Sequence, residues 1–496
     1  MINGKNYING EFVESISGEK FESRNPAHFD EILGTFPKSN VKDVNMAVDA
    51  AKKAFSAWKK LGMVKRAEII GKVAQFIQNE EKMLAELVCK ESGKQINESY
   101  ADVIEGRHMV EYNFAVGHYG QSGRILDDEI ALKRCYEKIE PRGVVVAISP
   151  WNFPYAIPWW LCGLSLIYGN TVILKPSSET PACAFAIAKQ LHKAGIPRGV
   201  FQVLTGNGSD CGMELVKHPD VNVVLLTGSY ETGLEIKRET ALHYNKFCSI
   251  ETGGKSAVIV LKDAKIEMAL AAILTSAFKT AGQRCVTGGR AIVERPVYME
   301  FIDKFSKLAK KIKFGEPMDE NMFYGAMINQ LGKEQGIIFN DLARKENFTV
   351  LVDRGQEQPT KNGFWLGPFV YTGEWRSNSY VLTHEAFSPH LAIIPADNVD
   401  DAIRIYNDTE FGLAGSVITE NYRLAQRVME EMECGIAYHN LPCIGAGVRL
   451  PFGGVKKSGN LISSASGIVP AITHKKSITI NLDDKIVMAQ GLSIDV

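Results

Sequence analysis

The chain has no Cys-x-x-Cys pair and no dense cysteine cluster, although it contains nine cysteines. A disulfide framework and a zinc ribbon are therefore excluded, no metal site is expected, and a reducing compartment, the cytoplasm, is the expected location. Charge of one sign is also lacking: 56 Lys and Arg stand against 57 Asp and Glu, a formal net charge of −1. Nothing in that balance points to a nucleic acid or another polyanion as partner. Basic clusters such as Lys310-Lys311-Ile312-Lys313 read as a solvated helix face. Met1 to Gly10 lacks the charged-then-apolar pattern of a secretion signal, and no internal repeat or low-complexity tract is evident.

A long apolar helix is missing too. Residues 143–174 carry no charge, enough on paper to span a bilayer. However, Pro150, Asn152, Pro154, Pro158, Gly163, Gly169 and Asn170 interrupt them. Two buried strands with a short helix between them are the better reading, and no membrane partner is expected.

What is present is a long chain of ordinary globular composition, 496 residues with 45% hydrophobic and 23% charged. That length predicts two or three domains. Its centre of interest is the stretch that opens with Glu251-Thr252-Gly253-Gly254-Lys255 and closes with Gly282-Gln283-Arg284-Cys285. Between a carboxylate and a thiol lie an apolar run, 256–261, and an alanine-rich segment, 266–281. These read as strand and helix, which leaves a candidate base and a candidate nucleophile at the two loops.

Upstream, short runs broken by turn residues fill 1–40. Helices are predicted at 44–59 with Asp43 as cap, at 65–79, at 81–92 and at 96–119. Residues 123–141 alternate charged and β-forming types, as an exposed ribbon would. Then β-branched runs at 144–148, 171–174, 200–204, 221–226 and 257–261 alternate with helical stretches at 157–168, 180–194, 210–217 and 231–243. Strands alternating with helices predict a parallel sheet covered on both faces, with ligands beyond the carboxyl ends of its strands.

The unusual residues collect at those ends. They are Pro150-Trp151-Asn152-Phe153-Pro154, Lys175-Pro176-Ser177-Ser178, Thr205-Gly206-Asn207-Gly208 and Thr227-Gly228-Ser229. Gly206, Gly208 and Gly212 make Gly-x-Gly-x-x-x-Gly, which departs from the dinucleotide fingerprint and fits a tight turn equally well. Thr227-Gly228-Ser229 ahead of a helix could offer backbone N–H groups to a pyrophosphate. A second α/β region runs from about 255 to 455. It contains His384-Glu385-Ala386-Phe387-Ser388-Pro389 and ends near Pro451-Phe452-Gly453-Gly454-Val455-Lys456-Lys457-Ser458-Gly459.

Taken in order, these motifs resemble the aldehyde dehydrogenase superfamily, over roughly residues 5 to 485. The resemblance implies an α/β aldehyde dehydrogenase fold with a Rossmann-like cofactor domain (1–122 and 142–253), an α/β catalytic domain (254–455) and a β-ribbon oligomerisation element (123–141, with 456–496 as ribbon and C-terminal segment). It implies a homodimer or homotetramer. By the same resemblance, Cys285 is the nucleophile that forms a thiohemiacetal and then a thioester. Asn152 and the Cys285 backbone N–H hold the alkoxide, Glu251 activates water, and Lys175 grips the cofactor's adenosine ribose. Trp151, Ser178, Gly208, Gly212, Thr227, Gly228, Ser229, Gly233, Glu385 and Phe387 complete the cofactor site. Coenzyme A-acylating relatives lack the glutamate at the position of Glu251, so acid formation is expected. A silent relative that keeps only the fold would not need Cys285, Glu251, Asn152 and Lys175 intact.

Two finer expectations follow. Relatives that prefer NAD commonly carry a glutamate three residues after the lysine. Here that position is Ser178 and the glutamate is Glu179, which predicts NADP in preference to NAD. The substrate tunnel by resemblance includes Arg107, Phe153, Trp160, Arg284 and Arg449, with Ala446 where apolar-aldehyde enzymes often place an aromatic. Three arginines predict a short aldehyde with an anionic far end, a succinic or 2-oxoglutarate semialdehyde; glyceraldehyde 3-phosphate or glyceraldehyde is the alternative. Arg107 pairing with Glu111 one turn away is the competing reading for that residue.

Overall fold

The computed structural model describes residues 1–488. Two seven-stranded sheets organise it. The first runs, edge to edge, through Phe247–Glu251, Val223–Thr227, Val144–Ile148, Thr171–Lys175, Phe201–Val203, Asn6–Ile8 and Glu11–Val13. Its first five strands are parallel and its last two antiparallel. The chain lays strands outward from Val144–Ile148 on one side, then returns to lay Val223–Thr227 on the other. That reversal opens a crevice at the carboxyl ends of those two strands, the usual ligand position in such sheets.

The second sheet runs through Thr349–Asp353, Phe369–Thr372, His390–Ala396, Arg290–Glu294, Ala257–Val260, Ala414–Ile418 and Ile436–His439. Only its first strand is antiparallel to its neighbour. The strand 257–261, read from sequence as continuing the first run, belongs to this sheet. Its place in the first is taken by Phe247–Glu251, whose polar Ser249 and terminal Glu251 hid the strand pattern. A separate ribbon joins Gly123–Leu126, Lys133–Pro141 and Thr473–Asn481.

The helices α1 (Val41–Lys60), α2 (Met63–Ser92), α3 (Ile96–Tyr119), α4 (Ala156–Tyr168) and α5 (Pro181–Ala194) pack about the first sheet. Asn40, not Asp43, caps α1. Asp43 supplies the reciprocal half of the capping box and accepts from the Asn40 N–H at 3.0 Å. The two helices expected at 65–79 and 81–92 are one, because the polar residues 78–82 include neither Gly nor Pro and continue as helix surface. The helix expected at 210–217 is a π-helical turn, Gly208–Met213, followed by Glu214–Lys217. The uncharged stretch 143–174 is strand, buried α4 and strand. Among the described residues, no helix is long and apolar enough to cross a membrane.

Candidate active site

Three loops meet beyond the strand ends. The helix Ile266–Phe278 stops short of the predicted 281 and gives way to a turn, Lys279–Gly282. Within it Thr280, Ala281 and Gly282 all lie in the left-handed region, at φ of 56°, 54° and 68°. A non-glycine residue held there costs on the order of 1–2 kcal/mol, so neighbouring contacts must hold the turn. At Gly282 a Cβ would stand 2.1 Å from the Ser388 carbonyl oxygen, which only glycine avoids. The turn delivers Gln283, Arg284 and Cys285. Asn152, buried in the turn after Val144–Ile148, donates its side-chain N–H to the Gln283 carbonyl at 3.0 Å. One amide proton is thereby used, and the second is left for a ligand.

Glu251 ends its strand and is 1% exposed. Thr252 N–H donates to the Ser458 carbonyl at 2.9 Å, and Glu251 itself bridges to Gly459, so the glycine-rich loop at 451–459 closes over this strand end. Both Glu251 carboxylate oxygens are buried without a hydrogen-bond partner. Burial alone holds its carboxyl well above the ordinary range. Burial, then the nearby Glu251 and Glu385 carboxyls, push the Cys285 thiol up as well. Burial thus disfavours the charged form of both groups, as is common where a buried acid and thiol share a functional site.

Two groups here were not read from sequence. Tyr438, near the carboxyl end of Ile436–His439, has a buried hydroxyl without a partner among the described residues; burial first, then Cys443, Cys285 and Glu105, raise its pKa. Glu105 lies on α3, and burial first and then Asp102 raise its carboxyl to about 7, with Arg284, Lys94 and Trp160 opposing. The rule that ligands sit beyond parallel strand ends could have flagged Tyr438. Glu105 falls seven residues after Glu98 and three after Asp102, one stripe of the helix, and that periodicity was the available signal.

A cavity of ≈ 890 Å³ lies between α3 and the loop 445–450, lined by Ala101, Ile104, Glu105, His108, Ala446, Arg449 and their neighbours. Arg107 is not on that lining: its guanidinium turns to Glu111 at 3.0 Å, the local pair that one helical turn permits. Arg284 is likewise committed, to Glu98 at 2.7 Å, with its guanidinium over the Phe153 ring. Both corrections share a cause, that a carboxylate one turn away or across the fold claims the charge first. Arg449 is exposed on the rim and makes none of the ion pairs seen among the described residues. Trp160 packs on Phe452 with ring centroids 4.8 Å apart.

At the crevice of the first sheet the groups suit a phosphate- and hydroxyl-bearing dinucleotide. Lys175 is buried, its ammonium makes no hydrogen bond to the described residues, and burial lowers its pKa. The Thr227 hydroxyl is buried without a partner. Ser229 caps the Tyr230–Thr240 helix, whose first N–H groups face the strand end. Gly208 leaves open space where a Cβ would stand, a Cβ at Gly212 would meet nothing closer than the Asn207 carbonyl oxygen at 3.9 Å, and one at Gly228 would meet the Leu226 side chain at 3.2 Å. At Gly233 a Cβ would lie 2.7 Å from Ile250, so a glycine there lets the helix pack closely on the strand. Ser178 donates to the Gly206 carbonyl at 2.8 Å, and the Glu179 carboxylate accepts from Asn329 at 2.9 Å. On the catalytic side Glu385 accepts from Gly254 N–H at 3.1 Å, and Phe387, at φ 48°, sets its ring edge-on to Trp151.

Comparison with known proteins agrees with this geometry. The model of the aldehyde dehydrogenase family matches residues 12–478. An alpha-ketoglutaric semialdehyde dehydrogenase of Bacillus subtilis is 32% identical over 91% of this chain and 93% of its own. A D-glyceraldehyde dehydrogenase (NADP(+)) of Picrophilus torridus is 33% identical over 88% of each. The structure of an NAD-dependent aldehyde dehydrogenase from Sinorhizobium meliloti superposes with a TM-score of 0.94 at 28% identity, covering 99% of this chain and 96% of that one. The chain belongs to the aldehyde dehydrogenase family and is an NAD(P)-dependent oxidoreductase of that family.

Proposed function

We propose that Cys285, Asn152 and Glu251 carry the oxidation of an aldehyde to its acid. The observation that carries this is the bare Glu251 carboxyl, buried beside a thiol with neither oxygen hydrogen-bonded. The Cys285 thiol gives its proton to solvent, the thiolate sulfur adds to the carbonyl carbon, and the carbonyl π electrons move to oxygen. That oxygen is held by the free Asn152 N–H and the Cys285 backbone N–H. A nicotinamide cofactor, when bound, would be the oxidant for this carbon, and Lys175, Thr227, Ser229 and Glu385 are the residues that would hold it. Glu251 then takes a proton from water, whose oxygen attacks the thioester; the C–S bond breaks and the acid leaves. The test is a rapid-mixing assay of Glu251→Gln. A burst of reduced cofactor followed by slow turnover is expected, and an unchanged steady-state rate would remove Glu251 from the water step.

For the substrate, the reading is a short aldehyde with an anionic far end, met by Arg449 on the cavity rim. The B. subtilis relative's name supports it. Glu105 in the same lining favours a second reading, a hydroxylated aldehyde of the glyceraldehyde kind, whose O–H groups a carboxylate would accept from. Initial rates on succinic semialdehyde, butyraldehyde and glyceraldehyde decide between them: equal kcat/KM for the first two would sink the anionic reading. For the cofactor, the reading is NADP over NAD, supported by Glu179 being drawn to Asn329 and by Ser178 standing where NAD-preferring relatives carry an acid. A kcat/KM with NAD tenfold above that with NADP would reverse it. The enzyme acts in the cytoplasm, as nine free thiols suit, and associates through the ribbon, whose Ile125 is 82% exposed and whose Leu132 is 58% exposed.

A further inference from the structure

The turn that presents Cys285 is held by a carboxylate far away in sequence. Glu98, on the first turn of α3 and 6% exposed, accepts from the Thr280 backbone N–H at 3.1 Å, from the Thr280 hydroxyl at 2.7 Å and from the Arg284 guanidinium at 2.7 Å. Arg284 also donates through Nε to the Thr280 hydroxyl at 2.8 Å. One carboxylate thus spans both ends of the left-handed turn and stops at the residue before Cys285. Glu98 thus satisfies the backbone N–H of a residue held at φ 56°.

The same helix reaches the other half of the site. One turn on, Asp102 accepts from the Ala156 N–H at 2.8 Å and from Lys94 at 2.9 Å, and Lys94 and Asp102 side chains are both 0% exposed. The Lys94 ammonium lies 3.8 Å from the Phe153 ring centroid and the Arg284 guanidinium 4.9 Å from it. Phe153 follows Asn152 directly. So the nucleophile's turn and the amide's turn, which come from different sheets, are both referenced to one face of α3, with Phe153 clasped between cations that Glu98 and Asp102 hold.

We infer that Glu98 is a positioning residue, which acts through Thr280 and Arg284 to fix the Cys285 sulfur relative to the Asn152 amide. This rests on Cys285 being the nucleophile. Loss of the Glu98 charge frees Arg284 and unties the turn. The addition step slows, because an error near 1 Å in a reacting atom costs about 100-fold. Water activation by Glu251 is untouched, since Glu251 hangs from another strand and from the 451–459 loop.

The test uses the full-length enzyme with cofactor. Glu98→Gln and Arg284→Met are compared with wild type and Cys285→Ala in three readouts: the burst rate of reduced cofactor, the alkylation rate of the site thiol by iodoacetamide, and KM. The expected result is a burst rate lowered about 30- to 100-fold in Glu98→Gln, slower alkylation, and KM changed less than about threefold. A folded Glu98→Gln enzyme with lower melting temperature but a wild-type burst and alkylation rate would make Glu98 structural only and overturn the inference. If Glu98→Gln does not fold, Arg284→Met decides by the same readouts, because it cuts the bond nearest Cys285 and leaves Glu98 on Thr280. A burst that survives in Cys285→Ala would instead overturn the nucleophile itself, an outcome distinguishable from the first.

Discussion

Two buried glutamates show how structure and chemistry part company. Glu91, at the end of α2, accepts from the Ser23 hydroxyl, the Ala182 N–H and the Cys183 N–H at 2.7 to 3.0 Å, and so satisfies the first turn of α5. Its carboxyl is raised to about 7 by burial, with those donors pulling it back. Glu251 is as deeply buried and has no donor at all. The first carboxylate ties α2, α5 and the N-terminal strands together; the second is held by its backbone and left bare at its tip. Burial is common to both, so the number of partners is what separates a brace from a reagent.

The largest expected effects lie on the bare side. Cys285→Ala abolishes aldehyde oxidation, and Glu251→Gln lowers steady-state turnover about 100-fold or more, the scale of losing a general base. Both are checked by cofactor absorbance in stopped flow. Glu91→Gln breaks the comparison if it behaves the same way. The isosteric amide turns an N–H toward a backbone N–H, so it loses an acceptor and costs about 1–3 kcal/mol of stability. The melting temperature falls while kcat of the folded fraction stays within about twofold of wild type. A normal melting temperature with a hundredfold loss in kcat would erase the distinction.

The same count of partners sorts the arginines. Arg107 and Arg284 spend their charge on Glu111 and Glu98, whereas Arg449 stands open on the rim. Arg449→Ala is expected to lower kcat/KM for succinic semialdehyde about tenfold, with butyraldehyde unaffected, as loss of one charge-assisted hydrogen bond would do. Arg107→Ala is expected to change neither by more than about threefold. A reversed order, with Arg107 the sensitive residue, would mean that the ion pair with Glu111 opens when substrate arrives.

What could be read in the sequence follows the same line. That the first sheet is parallel was legible because short β-branched runs alternate with helices; the roles of Asn152, Lys175, Ser229, Glu251 and Cys285 came from the family resemblance. Partners were not legible. Glu98 meets Thr280 across 182 positions and Arg284 across 186, and no local pattern announces either bond. The Arg107–Glu111 pair was the exception, readable as an alternative because one helical turn separates the two, and a strand ending in Ser249-Ile250-Glu251 looked polar because its last residue serves the site. Gly233 was read as a cofactor residue from the resemblance, and its close packing against Ile250 was not legible in the sequence.

The smallest expected effect is thermodynamic and bears directly on the bare carboxyl. Glu251 is held above its ordinary pKa by burial, so between the unfolded pKa near 4.3 and the raised folded value the native state binds more protons than the unfolded chain. Stability then falls as pH rises through that window, and the loss is complete above the folded pKa. Glutamine in the same shape never ionises and escapes the penalty. Melting temperatures of Glu251→Gln and wild type are therefore expected to coincide near pH 4 and to separate in the variant's favour as pH rises toward 9. Glu91, Glu105 and Glu385 are raised by burial too, but they are present in both proteins and cancel in the difference. A substitution that removes the base would thus stabilise the fold. A gap independent of pH, or a wild type that is the more stable at pH 9, would mean that Glu251 finds a donor in solution and is not bare.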